Sequence, residues 1–167
     1  DWSEIEAQEA VVFSAKLSTP QSIPDAVATP IKFDTVNFGN VAYLTSDGKF
    51  KPTVAGYYQI NVSALISTVT RSLGTLNITG GRGLRLWDTG TPGGNVSYKG
   101  NSGSSIYYFD GINDTAYVNI YQQNTATEPR DVSECHFSAS LITGQSSGGG
   151  SGTGTTTATV DTAIGMV

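Results

Sequence analysis

A single cysteine, Cys135, leaves this chain of 167 residues without any internal disulfide. Small secreted animal domains commonly carry cysteine pairs. A lone thiol of this kind reads as a small buried hydrophobe rather than as a reactive group. Charge is scarce too: Asp, Glu, Lys and Arg make up 14% of the chain, well under the usual quarter or so. The balance is acidic, with a net charge of -5 and a pI near 4.6. No cluster of Lys and Arg exists to displace counterions from a phosphate backbone, so nucleic acid is not expected as a partner. The nearest approach, Arg82 and Arg85, sits among glycines. The only histidine is His136, too few for the usual zinc sites. No apolar run approaches the roughly 20 residues of a membrane-spanning helix, so no membrane insertion is expected, and no secretory leader is visible. The chain starts at Asp1 rather than at Met, so it is read as trimmed, processed or excerpted. No stretch sustains a helical period.

What remains is a strand-and-turn pattern. The hydrophobic fraction is 38%, low but adequate for one β-sandwich with flanking segments. Ser, Thr, Asn, Gln and Gly must supply the polar surface, as suits an extracellular or virion protein. The expected division is a lead over residues 1–10, a β domain over 11–143 and a Gly/Ser/Thr-rich tail over 144–167. In the lead, Trp2 and Ile5 lie three apart, so one helical turn would present both on one side as a docking peptide. The tail has a linker's composition. Ordering so much glycine is costly in entropy, so the tail is expected to become ordered only against an assembly partner. Val160, Ile164 and Met166 are its expected attachment residues, together with Trp2 and Ile5.

Within the domain, turn residues recur at Ser46-Asp47-Gly48, Gly80-Gly81, Thr91-Pro92-Gly93-Gly94 and Ser102-Gly103. Short strands so punctuated imply a sandwich or barrel. A period of two separates the faces of three strands, over Tyr57 to Ile66, Thr115 to Gln122 and His136 to Ile142. The expected core is Phe13, Phe33, Phe50, Tyr58, Ile60, Val62, Val118, Ile120, Phe137 and Leu141. The opposite faces carry Tyr57, Gln59 and Asn61, then Tyr117, Asn119 and Tyr121, then His136, Ser138, Ser140 and Ile142. Tyrosines on a polar face suit a subunit seam, where the ring buries area and the hydroxyl finds a partner. These ten residues are therefore expected at an interface, and Tyr117→Asp is expected to break it.

Several blocks resemble one family. Val12-Phe13-Ser14-Ala15 is followed by Pro30-Ile31-Lys32-Phe33-Asp34, then by Gly48-Lys49-Phe50 and by Pro52-Thr53-Val54-Ala55-Gly56-Tyr57-Tyr58. Asn113-Asp114 precedes Ala116, Val118 and Ile120, and Phe137-Ser138-Ala139 with Leu141 looks like a closing strand. In this order the blocks resemble the globular head of complement component 1q and its tumour necrosis factor relatives. The resemblance covers about 130 of the 167 residues. It implies an all-β, ten-strand jelly-roll sandwich in a homotrimer, with both termini at one end and a tip built from loops at the other. The Ser46–Lys51 turn and the Asp88–Asn101 segment are candidate tip loops. The family is one of binding proteins rather than enzymes, and no cofactor is implied. Some features depart from it. No collagen repeat precedes the domain, the Gly80–Ser104 region is long and Gly-rich, and few of the family's calcium-binding carboxylates find a match, so no metal site is expected. The stretch from Thr53 to Val62 resembles the versions found in bacteriophage structural proteins.

Catalytic motifs fare poorly. Cys135 and His136 are adjacent on a strand and point to opposite faces, which defeats a Cys-His pair. Asp88, Asp110 and Asp114 are the carboxylates that a hydrolase reading would need. Gly81-Arg82-Gly83 lacks the Lys-Ser/Thr of a phosphate loop. Four sequons, at Asn61, Asn77, Asn95 and Asn113, would matter only in a eukaryotic secretory setting. The expectation is a non-enzymatic homotrimer on a virion surface, a phage capsid decoration or head-fibre protein bound to a capsid or other virion protein. A tail-fibre tip that binds a host-surface glycan, or a secreted recognition domain of cellular origin, are the alternatives.

Overall fold

Alternation with a period of two runs through ten strands of the computed structural model, which describes residues 11–90 and 96–144. The strands are β1 (Val12–Lys16), β2 (Gln21–Ile23), β3 (Thr29–Pro30), β4 (Thr35–Phe38), β5 (Gly56–Val69), β6 (Arg71–Ile78), β7 (Arg82–Gly90), β8 (Val96–Phe109), β9 (Ala116–Gln123) and β10 (Arg130–Gly144). They form two antiparallel sheets. The larger runs β4-β1-β10-β5-β8, with β2 pairing the start of β10, and the smaller runs β3-β9-β6-β7. The chain crosses between the sheets six times, after β2, β3, β5, β7, β8 and β9, and the result is an all-β jelly-roll sandwich. A 3-10 turn, Val41–Tyr43, starts where the Asn40 side chain accepts a hydrogen bond from the Ala42 amide at 3.0 Å.

The core lies between the sheets. Phe50 stands at its centre, with ring centroids 5.0 Å from Phe13, 5.3 Å from Phe137, 5.6 Å from Phe109 and 5.7 Å from Tyr58. Phe33, Ile60, Val62, Val118 and Ile120 are buried around it, and Leu141 is partly buried against its edge. Aromatic edges packed on faces give both area and geometry to such a cluster. Phe50 belongs to no strand. It is held by single bridges to Leu44 and Ala116, with its amide donating to the Ala116 carbonyl at 2.9 Å.

Two details depart from simple alternation. In β10 the buried residues change from even to odd numbers at a bulge around Ser133, so Val132 and Cys135 both face inward. In β8, Ser102-Gly103 lies in mid-strand and is not a turn, which corrects the sequence reading. A Cβ at Gly103 would come 2.6 Å from the Leu86 carbonyl oxygen, so glycine here marks the close approach of β7 to β8. Gly80-Gly81 does make the turn from β6 to β7, with φ of +85° and +78°. Thr91 to Gly94 lies outside the described residues.

The Leu141 amide donates to the Val11 carbonyl at 2.9 Å. The chain therefore enters and leaves the domain at one end, the end where β5 begins and β8 stops. The opposite end carries the tight β5–β6 crossover at Thr70, which passes from the larger sheet to the smaller, and the β9–β10 connection over residues 124–129. There the buried Gln122 amide donates to the carbonyls of Ile23 and Glu128, each at 3.1 Å. Asn124 donates to Glu128 at 2.7 Å and is tied to Asp25 through its own amide at 2.9 Å. The Ser46–Lys51 turn is not part of this end, contrary to expectation. Phe50 pairs with Ala116, the first residue of β9, and this carries the turn toward the termini.

Candidate functional site

The outer face of the larger sheet is where register gathers unusual side chains. At the end where the termini meet, Tyr57 lies opposite Tyr108, with ring centroids 5.3 Å apart, and Ile142 stands at a bulge beside them. The next row reads Val12, Ser140, Gln59 and Ile106 across β1, β10, β5 and β8. Then come Phe38, Ser14, Ser138, Asn61 and Ser104, and after them Lys16, His136, Ser63 and Ser102. Glu134, Leu65 and Gly100 form the row beyond.

Five of the nine large hydrophobics exposed among the described residues belong to this face: Val12, Phe38, Tyr57, Ile106 and Ile142, each about half exposed. Single exposed apolar residues are ordinary, but a contiguous set marks a contact surface. Formal charge on these rows is limited to Lys16 and Glu134, with His136 between them. A face so poor in charge can be covered by another protein surface with little cost of desolvating ions.

Of the ten expected interface residues, seven lie here: Tyr57, Gln59, Asn61, His136, Ser138, Ser140 and Ile142. Tyr117, Asn119 and Tyr121 do not. They are on β9, on the outer face of the smaller sheet, opposite Asn77, Thr75 and Leu73 of β6. The ten residues therefore do not share one face, because the sandwich core separates the two groups. Tyr117 instead receives the Lys49 ammonium 5.6 Å from its ring centroid. The sequence reading missed Val12, Phe38, Ile106 and Tyr108. Ile106 and Tyr108 sit in β8, where Ser and Gly mask the alternation. Trp2, Ile5, Val160, Ile164 and Met166 lie outside the described residues.

The reactive groups are committed elsewhere. Cys135 is 1% exposed in the core, and burial pushes its thiol up to about 12. His136 is exposed on the opposite side of the same strand. Asp88 accepts from Arg71 at 3.0 and 2.9 Å and from Arg85 at 3.0 Å, and its carboxyl is held below its usual value mainly by Arg71. Asp114 pairs with Arg82 at 2.7 Å. One oxygen of Asp110 accepts the backbone amides of Ile112, Asn113 and Asp114 at 2.8 to 2.9 Å, and these bonds lower its pKa. Each of the three carboxylates thus fixes a turn or a strand edge. Among the described residues no three His, Cys, Asp or Glu side chains stand close enough to hold a metal ion.

A C1q domain model matches residues 12–142. The chain belongs to the C1q domain family. Solved structures with the same fold include the globular domain of zebrafish complement 1qA, with a TM-score of 0.61 at 15% identity over 81% of this chain and 99% of that one. Murine APRIL at pH 8.0 has a TM-score of 0.57 at 15% identity, covering 80% of this chain and 100% of that one. Eiger TNF from S. frugiperda has 0.58 at 13% identity, covering 82% and 94%. At such identities these likenesses speak for the fold of this C1q domain. No curated protein matches the chain.

Proposed function

We propose that this C1q-domain chain is a non-enzymatic homotrimer that decorates a phage capsid or forms a head fibre. It attaches to a capsid or other virion protein through the segments that flank the domain and displays the loops of the far end. The observation that carries the reading is the exposed, nearly uncharged outer face of the larger sheet with Val12, Phe38, Tyr57, Ile106 and Ile142. Two neighbouring copies would cover it, and the threefold arrangement implied by the family resemblance supplies them. Each is about half exposed in the protomer, so covering the rest contributes roughly 1 kcal/mol apiece.

Attachment through the flanks is supported by the Val11–Leu141 contact, which sends both toward one end. Charge supports it as well. Asp1, Glu4, Glu6, Glu9 and Asp161 lie in the flanks, which contain no Lys or Arg, whereas residues 11–144 hold nine acidic and nine basic side chains. The whole net charge of -5 is thus carried by the flanks. An acidic lead bearing Trp2 and Ile5 suits a basic partner surface with an apolar groove. Sedimentation equilibrium of the purified chain should give three times the protomer mass, and images of native particles should show trimeric knobs at capsid symmetry axes. A well-folded monomer at micromolar concentration overturns the trimer. Knobs on a tail appendage would instead select the glycan-binding fibre tip.

A further inference from the structure

The middle of the same face does not look like a dry seam. Ser14, Asn61, Ser63, Ser102, Ser104, His136 and Ser138 surround an open concavity of about 680 Å³, floored by backbone at Val62, Gly103 and Phe137 and walled on one side by Phe38. The hollow has a simple origin. Four adjacent strands place short side chains in one row, at Ser14, Ser138, Asn61 and Ser104, and β5 and β8 add Ser63 and Ser102 in the next, while longer ones stand around them: Tyr57, Tyr108, Val12, Ile106 and Ile142 on one side, Phe38 on the β4 flank, Lys16 and His136 on β1 and β10, and Leu65 beyond.

The polar atoms of this hollow are also uncommitted. Among the described residues the hydroxyls of Ser63, Ser102, Ser104 and Ser138 and the His136 ring make no hydrogen bond, and the Asn61 side chain only accepts a long one, at 3.5 Å, from Gln59. Ser14 is 8% exposed and accepts from Asn37 at 3.2 Å, which leaves its own hydroxyl proton to be given into the hollow. Closing a dry interface over four free hydroxyls and an imidazole would leave several buried polar groups unpaired, each costing free energy. Filling the space with water or a small polar solute removes that cost, and the volume is ample for several such molecules.

We propose that the apolar border makes the contact between copies while the hollow persists as a wet polar chamber, complete only in the trimer, that admits water and small uncharged hydrogen-bonding solutes. The inference rests on the trimer reading above. It differs from that reading in assigning cohesion to Tyr57, Ile106 and their neighbours and solute access to the serines.

Thiol labelling tests it. The native Cys135 is buried with its thiolate suppressed, so background reaction is low. Ser102→Cys and Ser63→Cys each introduce a near-isosteric probe into the hollow. Both are treated with iodoacetamide and, separately, with a bulky polyethylene-glycol maleimide, as trimers and in an Ile106→Asp or Tyr57→Asp background that is monomeric by sedimentation. In the trimer, iodoacetamide should react within about threefold of the monomer rate, while the bulky reagent slows by about tenfold or more, the protection expected of a closed cavity. Protection from both reagents means a dry seam and overturns the chamber. Unchanged rates for both mean an open face and overturn it equally. A wild-type chain that sediments as a monomer defeats the underlying trimer reading instead, which separates the two failures.

Discussion

Gly74 shows how one missing side chain decides local packing. It faces inward on β6, and a Cβ there would stand 2.3 Å from Cζ2 of Trp87, whose ring lies across the glycine. Trp87 in turn donates its indole N–H to the Ser72 hydroxyl at 3.2 Å, so the ring is pinned and cannot swing aside. Gly74→Ala should destabilise the fold by about 1–3 kcal/mol, as overpacking does, read as a lower urea midpoint with an unchanged slope. Asp110 governs a different property. Its carboxyl lies below the ordinary 3.8 because three backbone amides donate to it. The unfolded chain therefore takes up the proton first on acidification. The stabilisation is present above about pH 4 and fades as pH falls through the folded value. Asp34, Asp47 and Asp88 are shifted the same way. The urea midpoint should therefore be flat near neutrality and drop below about pH 4. The gap between wild type and Asp110→Asn should shrink over the same range. A gap that stays constant down to pH 2 would show that the carboxylate charge is not what holds the turn.

At the scale of strands, the outer faces divide into two groups with different fates. Ile106→Asp or Tyr57→Asp places a carboxylate in the middle of the apolar border of the larger sheet and should convert the trimer to monomers in light scattering. Tyr117→Asp, on the smaller sheet beside Lys49, should leave the oligomer intact. Loss of the trimer in Tyr117→Asp with survival in Ile106→Asp would place the seam on the smaller sheet and overturn the assignment to the larger one. This division marks the limit of what alternation reveals. Tyr58, Ile60 and Val62 announce an inward face because period two and burial coincide on β5. Nothing in the pattern of β9 says that its outward residues lie on the other sheet, since in and out are encoded locally whereas sheet membership depends on long-range pairing. Ile106 and Tyr108 escaped notice because Ser and Gly fill the rest of β8, where small residues serve the close approach to Leu86 and the hollow outside. Gln122 is buried despite its amide because it bonds Ile23 and Glu128, partners supplied by distant segments and the next loop. The bulge at Ser133 reverses parity within β10, which a strict two-residue reading from His136 cannot extend backward.

For the whole molecule, the first and last described residues of the domain lie at one end, and charge divides the chain between the domain and what flanks it. Residues 11–144 carry balanced charge and all the described packing, while the flanks carry the net charge of -5. Removing residues 1–10 takes away four acidic side chains and neither contact nor core among the described residues. The shortened chain should therefore still sediment as a trimer. Its melting temperature should still rise with protein concentration, as it must when folding and association are coupled. Its co-sedimentation with native particles should be lost or weakened, and in the full-length chain that binding should fall with added salt, because an acidic lead on a basic partner is screened over about a Debye length. If the shortened chain binds particles as well as the intact one, attachment belongs to the tail or to the domain itself. If it no longer trimerises, the lead is part of the seam, and the division between a neutral assembling body and charged anchoring ends is wrong.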